Sequence, residues 1–255
     1  VKLGVPNGRI VLGYNAVDNA FYHNAAERAR RDPSSREGKP QRPYFLAVNR
    51  FEPEKNLLGL LRAYSQYRGL VGDAEAWDLV LCGDGRQRPA LVQFITEHRL
   101  EPFVHLPGFL QMEELASWYA LAGAFVHPSF MEPWGLVVNE AAACRTPLLV
   151  SDRAGCAETL VPHQHESAGF RFDPLSLPAI RDTLVAMSRL GLSERLAMAE
   201  RAEEIVAVWG PERFAQGTLQ AVELAFERLA LSGPTSRRPR PRRSQGRRPT
   251  IQLST

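Results

Sequence analysis

Short, almost wholly apolar runs recur along the chain: Ile10–Tyr14, Tyr44–Val48, Trp77–Cys82, Val104–Phe109, Gly123–His127, Pro147–Ser151 and Gly169–Pro174. Runs of four to six such residues, bounded by glycine, proline or asparagine, fit strands buried on both faces of a parallel sheet. Between them the apolar spacing changes to threes and fours. Leu57, Leu60, Leu61 and Tyr64 announce a helix after Asn56, and further helices are expected over Pro89–His98, Glu113–Ala120 and from about Gly135. Ile180, Leu184 and Met187, then Leu196 to Val208, continue the helical spacing; Trp209–Phe214 breaks it, and a last helix reaches about Leu231. Residues 28–43 are charged and carry Pro33, Pro40 and Pro43, which predicts a surface loop. Strands alternating with helices make an α/β fold, a parallel sheet flanked by helices.

The stretch PSFMEPWGLVVNEAAACRT, residues 128–146, sits between two of these strands and holds the most informative chemistry. Pro133 disfavours helix for Glu132, so the helix is expected to start near Gly135. Its first free N–H groups, from Gly135 through Leu136 to Val137, then leave the carboxyl edge of the sheet as a ready phosphate site. Glu140 lies about one and a half turns further in. Its side chain leans toward the N-terminus, where it can accept hydrogen bonds from a vicinal diol attached to that phosphate, such as ribose. Two glutamates eight apart are by themselves weak, since 28 acidic residues make such pairs common. Arg50 and Lys55 flank another strand-to-helix turn on the same ligand edge. They read either as solvated cations or as a diphosphate clamp, the arginine through its fork and the lysine as a point charge, and the clamp is preferred. Gly83-Asp-Gly85 follows a strand, a turn in which Asp84 reads as a turn residue and Gly83 as a backbone approach. Trp118 and Tyr119 read as packing residues. Glu158 fits a helix N-terminal charge as well as a site residue. His163, His165 and Cys156 lack a fixed fourth ligand, so a polar loop is the preferred reading and no metal is expected.

Composition narrows the classes. A chain of 255 residues at 44% hydrophobic can bury a sizeable core. Its net charge of +3 hides seven arginines between Arg237 and Arg248, which leave the other residues at −4. That mildly acidic body argues against nucleic acid as the main ligand. From Gly233 onward arginine, proline, serine and glycine cannot support a core, so residues 233–255 are expected to be a disordered tail, with 1–232 as the folded domain. A second reading of 237–248 is attraction to an anionic membrane face. Three cysteines without ligand spacing fit a reduced, cytoplasmic protein, peripheral on the inner membrane face if the tail binds there. Val1 is not methionine, and the opening resembles mid-protein sequence, which predicts a piece of a longer protein.

Glu132 and Glu140, in the context Pro-Ser, Glu-Pro-Trp-Gly-Leu-Val-Val and Glu-Ala-Ala-Ala-Cys before a proline-led strand, resemble the Glu-x7-Glu segment of the retaining family-4 glycosyltransferases. The resemblance covers roughly residues 1–230. It implies the second, donor-binding domain of a GT-B fold, a Rossmann-like domain whose acceptor-binding N-terminal partner is missing here. It further implies Glu140 on the ribose, and Arg50, Lys55 and the amides of Gly135 and Leu136 on the diphosphate. Glu132 would lie near the donor sugar, Gly83 near the donor, and the backbone around Leu106 beside the base. The expected activity is transfer of a sugar, with retention, from a UDP-, GDP- or ADP-sugar to a glycan or lipid-linked acceptor, without a metal; the alternative is a nucleotide-binding module without catalysis. Three positions depart from the pattern, where relatives commonly carry glycine: Asn56, Arg145 and Ala154.

Overall fold

The computed structural model describes residues 6–162 and 168–231. Two units divide the chain: one spans residues 12–218, and the other joins residues 1–11 with 219–255. Of the second unit, the described parts are a short 3-10 turn, Asn7–Arg9, and the final half of the last helix. The expected tail at 233–255, and the arginines at 237–248 with it, lies outside the described residues, as do His163 and His165.

In the unit of residues 12–218, six strands form one parallel sheet: β1 (Tyr44–Val48), β2 (Asp78–Cys82), β3 (Val104–Gly108), β4 (Ala124–His127), β5 (Leu148–Ser151) and β6 (Gly169–Phe172). Their spatial order is β3-β2-β1-β4-β5-β6. The chain winds outward from β1 in one direction, then returns to β4 on the other side of β1 and winds away again. The gap between β1 and β4 is therefore a topological switch point, and ligands of open α/β sheets bind at the carboxyl ends of the strands there. The continuous apolar runs are explained by two cores, one on each face of the sheet. One face is covered by α1 (Asn19–Arg31), α4 (Met112–Leu121), α5 (Leu136–Ala143), the short α6 (Ala157–Leu160) and α8 (Leu192–Val206). The other is covered by α2 (Leu57–Val71), α3 (Arg88–Glu97) and α7 (Leu177–Arg189). A ninth helix, α9, spans Pro211–Leu231, and no described helix is long and apolar enough to cross a membrane.

Two sequence expectations fail. Ile10–Tyr14 is irregular rather than a strand, with Ile10, Leu12 and Tyr14 exposed. Its apolar residues signal burial by composition alone. The expected loop at 28–43 begins inside α1, which runs to Arg31. Asp18 caps that helix by accepting from the Phe21 N–H at 2.9 Å. Its buried face is Tyr22, Ala25, Ala26 and Ala29, a helical stripe of mostly small residues. Small alanines beside Arg28, Arg30 and Arg31 make an amphipathic helix look like a charged loop.

Candidate functional site

The turn after β1 and the turn after β4 meet at the switch point. After β1 the chain runs through Asn49, Arg50 and the buried Phe51 to a 3-10 turn, Pro53–Lys55, before α2. Asn56 stands between the two in a left-handed conformation, φ 54°. Among non-glycine residues asparagine tolerates this region best. Its buried side chain also donates to the carbonyls of Pro128 at 3.1 Å and Pro174 at 3.0 Å. It thereby ties the β1 turn to the segments after β4 and β6. Gly59 makes room for that side chain, since a Cβ there would fall 2.1 Å from the Asn56 Oδ1. Asn56→Ala is expected to cost about 2 kcal/mol in denaturant unfolding, through two buried hydrogen bonds and the left-handed strain. Asn56→Gly keeps the conformation and should cost about half as much. Equal midpoints for both variants and the native chain would contradict this role.

After β4 the chain passes the buried His127 and Ser129 to Glu132, then Gly135 and α5. Gly135 is left-handed at φ 101°, and a Cβ there would crowd the Glu132 Cγ at 3.2 Å and the His127 Nε2 at 3.3 Å. Both terms require glycine. No side chain caps α5, so the N–H groups at its first turn face the ligand edge with the positive end of the helix dipole. Glu132 Oε2 accepts from Lys55 Nζ at 2.5 Å and lies 3.4 Å from His127 Nε2. The side chains of Lys55 and Glu132 are each only 13% exposed. Hydrogen bonding from His127, with that from Lys55 and against the cost of burial, lowers the Glu132 carboxyl to about 2. Burial conversely depresses His127, which is neutral at physiological pH. Glu132 is thus an ionised acceptor near neutrality, not a proton donor.

These groups enclose a cavity of about 360 Å³, within the range of small-molecule sites. Of the residues singled out in the sequence, Arg50, Lys55, Glu132, Gly135 and Leu136 line it together. Gly83, Leu106 and Glu140, also expected at the ligand, do not. Gly83 supports the cavity from behind: a Cβ on it would fall 1.9 Å from the Asn49 carbonyl oxygen. Asn49 N–H donates to the Cys82 carbonyl and Phe51 N–H to that of Asp84, so this glycine turn braces the Arg50 loop. Asp84 accepts from the Gly85 N–H, the contact of a turn residue. Leu106 lies in β3 with its side chain packed toward the second core. Glu140 sits one turn along α5 from the lining residues, where its Oε2 accepts from the Tyr119 hydroxyl at 2.9 Å. Burial raises the Glu140 carboxyl, against hydrogen bonds from Tyr119 and Tyr22. Trp118 and Tyr119 are buried, as packing residues should be.

Two lining residues escaped the sequence reading. His127 ends an apolar strand, and a polar residue at the carboxyl end of a central strand is the signal that could have found it. Asn49 is buried, and its Nδ2 has no hydrogen-bond partner among the described residues. The departures from glycine are accommodated. Arg145 is left-handed at φ 53°, a strain of about 1 kcal/mol, and its guanidinium reaches Glu200 at 3.2 Å and Glu203 at 3.1 Å. Ala154 is not left-handed. It pairs with Glu132 through an isolated parallel bridge, while Gly155 N–H donates to the Glu132 carbonyl at 2.9 Å.

Comparison with known proteins identifies the family. The family model described as glycosyl transferases group 1 matches residues 29–204. The chain belongs to this family. Among curated relatives of these group 1 glycosyltransferases, the O-antigen chain mannosyltransferase B of Escherichia coli is 33% identical over 138 residues, 54% of this chain and 34% of that protein. Glycogen synthase of Mycobacterium tuberculosis is 32% identical over 150 residues, covering 59% and 33%. The chain thus spans about a third of the length of these two relatives. In fold it is similar to the sucrose-phosphate synthase from Thermosynechococcus elongatus, with TM-score 0.67 at 25% identity over 85% of this chain and 52% of that one. A glycosyltransferase from Rickettsia africae gives TM-score 0.72 at 18% identity, covering 88% and 59%. The domain is a Rossmann-like member of the GT-B glycosyltransferases.

Proposed function

We propose that this chain carries the donor-binding half of a retaining glycosyltransferase, which moves a sugar from a nucleotide-sugar to a glycan or lipid-linked acceptor. The observation that carries the reading is the convergence of Arg50, Lys55 and the uncapped start of α5 on one cavity beside the ionised Glu132. Two cations and a helix N-terminus match the charge of a diphosphate. Glu132 would accept from hydroxyls of the donor sugar, and its negative charge would favour the positive charge that builds at the anomeric carbon. Glu140 would accept from the ribose diol. Most of the rate enhancement would then be fixed-charge stabilisation of the departing diphosphate. Kinship favours a uridine nucleotide: one fold neighbour is a pneumococcal O-GlcNAc transferase in complex with UDP and GlcNAc, and another a UDP-forming trehalose-phosphate synthase from Burkholderia vietnamiensis. Nucleotide binding without chemistry draws on Arg145, Ala154 and the missing first half of the fold; the backbone accommodates the two residues, which weakens that part of the alternative.

The diphosphate clamp carries its own test. Calorimetric titration with UDP, GDP and ADP in excess chelator should give binding to at least one, undiminished from that in Mg²⁺. A strict requirement for Mg²⁺ or Mn²⁺ would refute neutralisation by Arg50 and Lys55.

A further inference from the structure

Behind Glu140 the helices α1, α4 and α5 pack together. Tyr119 of α4 is fully buried, and its hydroxyl donates to Glu140 Oε2 at 2.9 Å. Phe125 stands edge-on to the ring at 5.6 Å between centroids, and Thr146 Oγ1 donates to the Tyr119 backbone carbonyl at 2.9 Å, which holds the end of α4 in place. Tyr22 of α1, also buried, stands edge-on to Tyr119 at 6.4 Å, and its hydroxyl bears on the same carboxylate. Burial pushes both phenols well above their ordinary range, so both remain hydroxyl donors at any working pH. The other titratable groups bearing on this cluster are Cys144, just after α5, whose thiol burial pushes up, and Glu113 of α4 beside Tyr22. A donor held this rigidly fixes one carboxylate oxygen, Oε2. Fixing a flexible glutamate in one rotamer before binding removes an ordering cost from the ligand contact.

We infer that Tyr119, backed by Tyr22, is a positioning residue that anchors one oxygen of Glu140 so that the other meets the cis-diol of a nucleotide ribose. This rests on the ribose reading of Glu140 given above, and it makes discrimination between ribose and deoxyribose depend on a hydroxyl that never touches the ligand.

The test compares UDP with 2′,3′-dideoxy-UDP on the 255-residue chain by calorimetry, in the native protein and in Glu140→Ala, Tyr119→Phe and Tyr22→Phe. The native chain should prefer UDP by about tenfold or more, the scale of hydrogen bonds to a charged acceptor. Tyr119→Phe should cut that preference severalfold while leaving affinity for the dideoxy nucleotide within about twofold, and Tyr22→Phe should act in the same direction but less. Comparing the two nucleotides cancels titration of their phosphates. The preference should vanish as pH falls and Glu140 protonates. In Tyr119→Phe it should vanish at higher pH, because the lost hydrogen bond had favoured the carboxylate. If Glu140→Ala abolishes the preference and Tyr119→Phe leaves it intact, the positioning role fails and the ribose reading survives. If Glu140→Ala leaves the preference intact, the ribose reading itself fails. Equal losses for both nucleotides in Tyr119→Phe, with a lowered thermal midpoint, would make Tyr119 merely structural and overturn the inference.

Discussion

Lys55→Ala should lower the thermal midpoint by about 6–12 °C in the absence of any ligand. Lys55 and Glu132 are largely withdrawn from water, and removing one partner leaves the other as a buried, poorly compensated charge. Breaking a buried pair in this way costs about 3 kcal/mol or more, and in a domain of this size each kcal/mol shifts the midpoint by roughly 2–4 °C. Replacing both partners, in Lys55→Ala with Glu132→Gln, should recover part of the loss, because no charge is then stranded. The pH dependence has a definite sign. Glu132 is held at about 2, below its ordinary value of 4.5, so its contribution is complete above about pH 4.5 and is lost as pH falls through 2. Without Lys55 the carboxyl titrates higher, and the acid limb of stability should move up in pH. Equal stability of Lys55→Ala and the native chain between pH 4 and 7 would show that the pair is solvated and energetically idle.

The largest expected effect concerns catalysis. In the proposed function this chain supplies one wall of a cleft, the wall that holds the donor. Holding donor and acceptor in register is worth about 7–11 kcal/mol in favourable cases, roughly 10⁵–10⁸-fold in rate. The 255-residue chain should therefore bind the donor, hydrolyse it slowly at most, and transfer no sugar until an acceptor-binding domain is supplied. A radiolabelled donor, with free sugar and glycosylated product resolved by chromatography, reads both outcomes at once. Robust transfer by this chain alone would place an acceptor site within it and move the domain boundary expected from the resemblance.

The turns proposed to bind the donor were the parts most legible in the sequence. Wherever an apolar run ended in a turn with proline or glycine and a helix followed, as at Arg50–Asn56 and Glu132–Gly135, local chemistry alone located the turns that line the switch-point cavity. Those signals are local because a strand-to-helix turn depends on left-handed glycines and proline restrictions within a few residues. What failed depended on distant partners. The face of α1 became apolar only through small alanines that pack on α4 and α5. Ile10–Tyr14 had the composition of a strand yet is irregular. His127 looked like the end of a strand until Glu132, five residues on, folded back over it. By sequence Asn56 is only a departure from glycine. Its two hydrogen bonds cross 72 and 118 residues of chain and could not be read from spacing.

The most direct test of the switch-point cavity as a nucleotide-sugar site is a calorimetric titration of the preferred nucleoside diphosphate into the native chain, Arg50→Ala and Arg50→Lys. Arg50 lines the cavity, and its side chain makes no hydrogen bond or ion pair with another described residue, so its removal should leave the thermal midpoint unchanged. Affinity should fall by roughly 1.5–3 kcal/mol, the range for a charge-assisted hydrogen bond, in Arg50→Ala. Arg50→Lys should recover only part of it, since a point charge replaces a two-pronged donor. Unchanged affinity in Arg50→Ala, with binding intact in the native chain, would place the diphosphate elsewhere and contradict the assignment of the site.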